Sequence, residues 1–253
     1  MTVSLEVVGS VAIITIDRPH RLNAFDVPTA EAMSDAIDEL DRRSDVSVGL
    51  LRASGPAFCA GADLKAFGET GRLPVTERRG GFGICDRPSE KPMIAAVQGV
   101  ALGGGFELAL ACDLIVAASG ASFALPELGH GLVPSGGGLL RLPHRVPYAV
   151  AMEMIFAGVT LTADRAAEVG LVTTVVDPDE LDDVAMRLAQ RIAGKAPLAL
   201  RASKRVIREA PDWSQEDAFE RQNAIVQPVL DSADAAEGAL AFVERRRPMW
   251  AGR

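Results

Sequence analysis

The sequence predicts an α/β protein that ends in a helical segment. Three observations carry this prediction. Short Val- and Ile-rich runs alternate with stretches of helical period. Glycine-rich turns join strand-like runs to helix-like ones. From Leu181 onward helical patterning takes over. The size agrees, because 253 residues fit one large domain or one domain with an appendage. Hydrophobic residues at 48% and charged residues at 24% allow a sizeable core and argue against a disordered chain.

The elements follow in order. Residues 3–8 and 11–16 read as strands, and the Gly9-Ser10 linker suits a type II′ hairpin turn, which takes glycine first. Residues 28–43 change period: Met33, Ile37 and Leu40 recur at helical spacing with acids between them. Val46–Leu51 is the next strand. Ser54-Gly55-Pro56 breaks the pattern, and the small-residue run Ala57 to Asp63 follows. Residues 66–90 hold Gly68, Gly71, Pro74, Gly80, Gly81, Gly83 and Pro88 with little periodicity, which predicts a flexible flap beside a site. Met93–Val97 reads as a buried strand, Phe106–Cys112 as an apolar helix and Asp113–Ala118 as another strand. The segments 179–194, 197–210, 215–230 and 234–246 are helical.

Charge and cysteine usage narrow the function classes. A net charge of −8 disfavours a general nucleic-acid binder, and an anionic ligand would need a local site built against the overall field. Cys59, Cys85 and Cys112 form no C-x-x-C pair, and an odd number cannot all pair within the chain, so a reduced, cytosolic setting is expected. The segment MTVSLEVVGS lacks a basic run leading into an apolar one and is not expected to be a signal peptide. Apolar stretches are broken well short of a membrane span.

Common motifs are absent. No G-x-x-x-x-G-K-[ST] occurs, Gly103-Gly104-Gly105 lacks the third glycine of G-x-G-x-x-G, and Ser135 is not in G-x-S-x-G. His20, His130 and His144 form no pair at ligand spacing, so no metal site is expected. What remains is a set of tight turns beside carboxylates. The run Val100 to Glu107 passes from strand to helix. Its glycines let a ligand approach the backbone, and the first N–H groups of the helix lack intrahelical partners. Such groups can donate to a developing oxyanion. Glu107 then reads either as a catalytic acid or as a first-turn acid favoured by the helix dipole. Asp63 reads as an N-cap, Glu127 as a lone acid at a strand end, and Ser135–Gly138 as an anion-friendly turn or a plain loop.

Taken together these segments resemble the enoyl-CoA hydratase/isomerase (crotonase) family over nearly the whole chain. Asp17-Arg18-Pro19 with Leu22-Asn23-Ala24 looks like its N-terminal signature. Ala57 to Lys65 looks like its first oxyanion-loop motif, and Lys91-Pro92 through Asp113 like its second. Pro126-Glu127, Gly131 to Pro134 and Gly136-Gly137 look like a third, and Ala166 to Val176 also fits. Within the family, Gly104 to Ala111, Ala121 to Glu127 and the ending from Glu237-Gly238 to Trp250-Ala251-Gly252-Arg253 look most like carnitinyl-CoA dehydratases.

The resemblance implies a crotonase-like spiral of ββα units over residues 1–195 and a helical trimerisation segment over 196–253, assembled as a homotrimer or homohexamer. It implies an acyl-CoA substrate whose thioester carbonyl sits between the N–H groups of Ala62 and Gly104. It implies hydration of a 2-enoyl-CoA by Glu107 and Glu127, with no separate cofactor, metal, nucleic-acid or membrane partner. Arg21, Leu22, Ala60, Asp63 and Leu64 match positions lining the coenzyme A path. Phe242 and Arg245 match positions that reach it from a neighbouring subunit, although Ala241–Arg247 alone reads as an amphipathic helix with a solvated basic face. His20 stands where many members carry lysine, and Arg21 where a small residue is common, which implies a rearranged phosphate contact. His130 takes the place of an apolar residue and reads as a surface or packing residue, with a polar role near the acyl end as the alternative. An isomerase, or a non-catalytic relative binding acyl-CoA or RNA, is the alternative.

Overall fold

The first two strands close on themselves as the sequence predicts. In a computed structural model that describes residues 2–253, β1 (Val3–Val8) and β2 (Val11–Ile16) form an antiparallel hairpin in which Val8 faces Val11. Gly9 has φ +58°, the positive value this turn demands. Helix α1 (Val27–Arg42) is capped by Asp26, whose carboxylate accepts from Thr29 N–H at 2.9 Å, and Pro28 sits in its first turn. The predicted stripe of Met33, Ile37 and Leu40 is fully buried. Each of these three side chains contributes about 1.5–3 kcal/mol of transfer free energy.

The chain continues through β3 (Val48–Ala53), α2 (Leu64–Thr70), the two-residue strands β4 (Val75–Thr76) and β5 (Gly80–Gly81), β6 (Met93–Val97), β7 (Val100–Leu102), α3 (Gly104–Ala111), β8 (Leu114–Ala118) and β9 (Ser122–Ala124). Helices α4 (Gly138–Arg145) and α5 (Tyr148–Ala157), strand β10 (Leu161–Thr162), helix α6 (Ala163–Glu168) and strand β11 (Thr174–Val176) follow. The helices α7 (Leu181–Ala193), α8 (Pro197–Glu209), α9 (Ala218–Leu230) and α10 (Ala233–Glu244) close the chain. Strand β3 starts two residues later than predicted, because Val48 is the residue that pairs with Val11.

A six-stranded sheet in the order β1-β2-β3-β6-β8-β11 is parallel except for the hairpin. Both faces are covered, so its inner strands are continuously apolar. Alternation divides them: Ala12, Ile14, Met93, Ala95, Ile115 and Ala117 join the larger core with α1 and α3. Val11, Ile13, Ile94, Ala96 and Val116 meet Leu181, Ala185 and Ala189 of α7. A smaller sheet, β7-β9-β10, brings the ends of β7 and β9 together.

The flexible flap expected at 66–90 is corrected for its second half. Arg79 is buried and ion-paired to Asp38 at 2.6 Å and Asp41 at 2.8 Å on α1. Phe82, Ile84 and Cys85 enter the core. Gly83 lies so close to α1 that a methyl group would stand 2.0 Å from Ala30 O. The glycines serve close packing, whereas α2 and the stretch up to Val75 lie largely exposed. The last three helices contribute little to the core: α9 has no buried residue, and α10 buries only Asp234 and Ala241. Among the described residues no helix is long and apolar enough to cross a membrane.

Candidate active site

Two turns come side by side where a short parallel ladder runs out. Phe58 N–H donates to Gln98 O, Cys59 N–H to Val100 O and Leu102 N–H to Cys59 O, at 2.8, 3.1 and 3.0 Å. Beyond this, Gly61 takes φ +93° and Gly103 φ +54°. A methyl on Gly61 would stand 3.0 Å from Leu102 O and 3.4 Å from Gly104 N. The N–H groups of Ala62 and Gly104 then donate to no acceptor among the described residues. Gly104 opens α3, where an N–H has no partner one turn back. Donors of this kind, held by packing, suit a carbonyl oxygen that gains charge.

The first turn is fixed by buried polar groups. Arg18 ion-pairs with Asp26 at 2.9 Å and Asp63 at 3.2 Å, and also donates to Ala24 O. Asp63 Oδ1 accepts from Ala66 N–H at 3.1 Å and caps α2. Burial pushes the Asp63 carboxyl up, but the Ala66 N–H and Arg18 outweigh it and hold it below the usual range. Asn23, at φ +57°, donates to Ser54 O and Ala57 O. Phe25 N–H binds Gly61 O at 2.8 Å, and Asp63 N–H binds Phe25 O at 2.8 Å.

The second turn carries the acids. Glu107 lies in the first turn of α3 and is buried, and its Oε1 accepts from Gly138 N–H at 2.8 Å. Burial is the main force that raises its carboxyl to about 7. The charge of Glu127 pushes the same way, while the Gly138 and Gly136 N–H groups and Arg141 oppose it. Glu127 follows β9 and begins a 3₁₀ turn, Glu127–His130. Its Oε1 would stand 2.8 Å from a methyl on Gly103. Its Oε2 is buried and has no hydrogen-bond partner among the described residues. Burial raises this carboxyl also. One buried and one half-buried carboxyl beside two unengaged backbone donors can exchange protons with a neutral reactant while an oxyanion is held.

The expected residues fall into three groups. Ala62, Gly104, Glu107 and Glu127 come together. Arg21, Leu22, Ala60, Asp63 and Leu64 gather beside the first turn: Ala60 N–H binds Leu22 O at 3.0 Å, Arg21 bears on Asp63, and Leu22 and Leu64 are exposed. The carboxylate of Asp63 is spent on Arg18 and the α2 cap, so its role is structural as well. Phe242 and Arg245 lie on and just after α10, which packs on α9; Phe242 is 86% exposed and Arg245 caps the helix at φ +56°. His130 is exposed. Sequence pattern does not single out Arg18, Phe82 or Arg141 as site residues. A lone arginine in a signature and a phenylalanine in a glycine run give no chemical signal by themselves. Clefts of about 810 and 310 Å³ lie along α8, and neither is lined by Glu107 or Glu127.

Comparison with known proteins points to one family. The enoyl-CoA hydratase/isomerase family model matches residues 6–253. The chain is similar to the carnitinyl-CoA dehydratase of Proteus mirabilis, at 43% identity over 97% of this chain and 96% of that protein. The carnitinyl-CoA dehydratase of Salmonella enteritidis matches at the same identity and coverage. Among solved structures it is similar to enoyl-CoA hydratases from Mycobacterium marinum and Mycobacterium tuberculosis. Both have a TM-score of 0.97, at 48% and 49% identity, and the match covers 100% of this chain and 99% of each.

Proposed function

The chain belongs to the enoyl-CoA hydratase/isomerase family, and from that premise we propose that it adds water reversibly across the 2,3 double bond of a 2-enoyl-CoA thioester. The observation that carries the proposal is the convergence on one place. The unengaged N–H groups of Ala62 and Gly104 lie beside the buried carboxyl of Glu107 and the half-buried one of Glu127, whose Oε2 is buried and unpartnered among the described residues.

In the proposed step the thioester oxygen accepts from Ala62 and Gly104, which stabilise the enolate charge. Glu107 and Glu127 hold one water. One carboxylate takes a proton from it as its oxygen bonds to C3, and a proton is delivered to C2, so one water is added in all. Two close acids in a partly dry site resist double ionisation, which leaves a proton available. Coenzyme A enters as part of the substrate, along Arg21, Leu22, Ala60, Asp63 and Leu64. The similarity to carnitinyl-CoA dehydratases supports including crotonobetainyl-CoA among the substrates.

The exposed Phe219, Leu230, Leu240, Phe242 and Val243 support reading residues 196–253 as an assembly segment of a homotrimer or homohexamer. Phe242 and Arg245 would then reach a neighbour's coenzyme A. Three unpaired cysteines fit a reducing, cytoplasmic setting.

The test is a panel of enoyl-CoA thioesters read by mass in isotopically labelled water. Uptake of one water by the wild type is expected, with Glu107→Gln and Glu127→Gln each slower by about 10²–10⁴. Double-bond migration without solvent oxygen would make the protein an isomerase. Wild-type hydration by both variants would remove the glutamates from the mechanism.

A further inference from the structure

Glu107 is served by a turn that no side chain of its own can lock. Gly136 and Gly138 lie so close to the carboxylate that methyl groups on them would stand 2.7 and 3.0 Å from its oxygens. The turn therefore needs an outside support, and Arg141 on the first turn of α4 supplies it. The guanidinium folds back and donates to Gly136 O at 3.2 Å and to Cys85 O. Gly137, at φ +94°, clears its path, because a methyl there would stand 2.1 Å from Arg141 Nη1. One fork thus ties the glycine turn to the packed segment 80–85, whose Phe82 ring lies against Gly104.

We infer that Arg141 is a positioning residue for the acid–base chemistry at Glu107: it holds the Gly136–Gly138 turn at the distance from which that turn binds the carboxylate. This rests on the hydratase reading. The charge of Arg141 acts in the same direction as its geometry. The groups facing Glu107 are Glu127 from the turn after β9, the Cys85 thiol from segment 80–85, and Arg141 from α4. Of these, Arg141 alone favours the ionised acid. Lysine would keep the charge and lose the fork, because an ammonium is a point donor while a guanidinium spans two acceptors in a plane.

The experiment compares R141M and R141K with the wild type. It reads kcat and KM on crotonyl-CoA, and the titration of the Glu107 carboxyl by ¹³C NMR, assigned by its loss in E107Q. R141M is expected to lower kcat by about 10–100-fold with little change in KM, since misplaced catalytic groups act on the chemical step. Its Glu107 midpoint is expected to rise by about one pH unit. R141K is expected to return the midpoint toward the wild type while leaving kcat low. A folded R141M with an unmoved midpoint and unchanged kcat overturns the inference. Should R141M not fold, R141K at the wild-type kcat overturns it. A wild type that hydrates no enoyl-CoA sinks the functional reading, while the NMR titration still judges the tie between Arg141 and Glu107.

Discussion

The two halves of the site are made of different material. The donor half, Gly61–Ala62 and Gly103–Gly104, is backbone, and it carries no group that titrates. It is placed by glycine conformations, by the buried Arg18–Asp63 pair and by Phe82 against Gly104. The carboxylate half, Glu107 and Glu127, is side chain. Its protonation is set by burial at both acids and, at Glu107, also by the N–H groups of a glycine turn and the charge of Glu127. Preorganised dipoles need no proton to be in the right place, so the donor half trades adjustability for constancy. The acid half must sit near the working pH to both give and take a proton, and burial supplies that tuning.

The largest expected effect breaks the donor half at its foundation. Arg18→Met leaves Asp63 buried without its cation, and removing one partner of a buried pair costs about 3–5 kcal/mol. Urea unfolding would read this as a lower midpoint, and a midpoint within error of the wild type would mean that the pair does not hold the turn. Next comes Gly104→Ala. The added methyl would stand 1.7 Å from Phe82 Cζ, so either the ring or the turn must move. Loss of one oxyanion donor costs about 10²–10³ in kcat. Because the donor half has no titratable group, the loss should be the same factor at every pH where the wild type is active. A factor that varies with pH would show that the two halves are coupled.

Much of this division was legible in the sequence. The strand Met93–Val97, the stripe Met33–Ile37–Leu40 and the helix from Leu181 are period signals and form as predicted, while β3 is shifted by two residues and the short β11 carries no such signal. Glu107 and the Gly103–Gly105 turn were visible as an acid beside a strand-to-helix glycine cluster. The resemblance to a family, not the residues alone, singled out Glu127 from other acids at strand ends. What stayed hidden was the support. Gly80, Gly81 and Gly83 read as looseness because glycine has the same sequence signature when it bends freely and when a neighbour leaves no room for a side chain. Here Ala30 O fills the space beside Gly83. Arg141 was hidden for a related reason: its partners are carbonyls of Gly136 and Cys85, and backbone acceptors leave no mark on sequence pattern.

The smallest expected effect belongs to the acid half and concerns stability. The Glu107 carboxyl sits at about 7 when folded, against 4.5 for an ordinary glutamate. The native state therefore binds more protons than the unfolded chain between those two values. Native stability falls as pH rises through that window, and the full penalty applies above 7. In the Glu107→Gln variant the side-chain amide can still accept from the Gly138 N–H but never ionises, so the variant escapes the penalty. Relative to the wild type it should gain up to about 3 kcal/mol between pH 4.5 and pH 8, with a flat difference at still lower pH. Denaturant titrations at several pH values would measure it. A pH-independent difference would mean that Glu107 ionises as easily as an exposed acid, and the contrast between a fixed donor half and a tuned acid half would lose its basis.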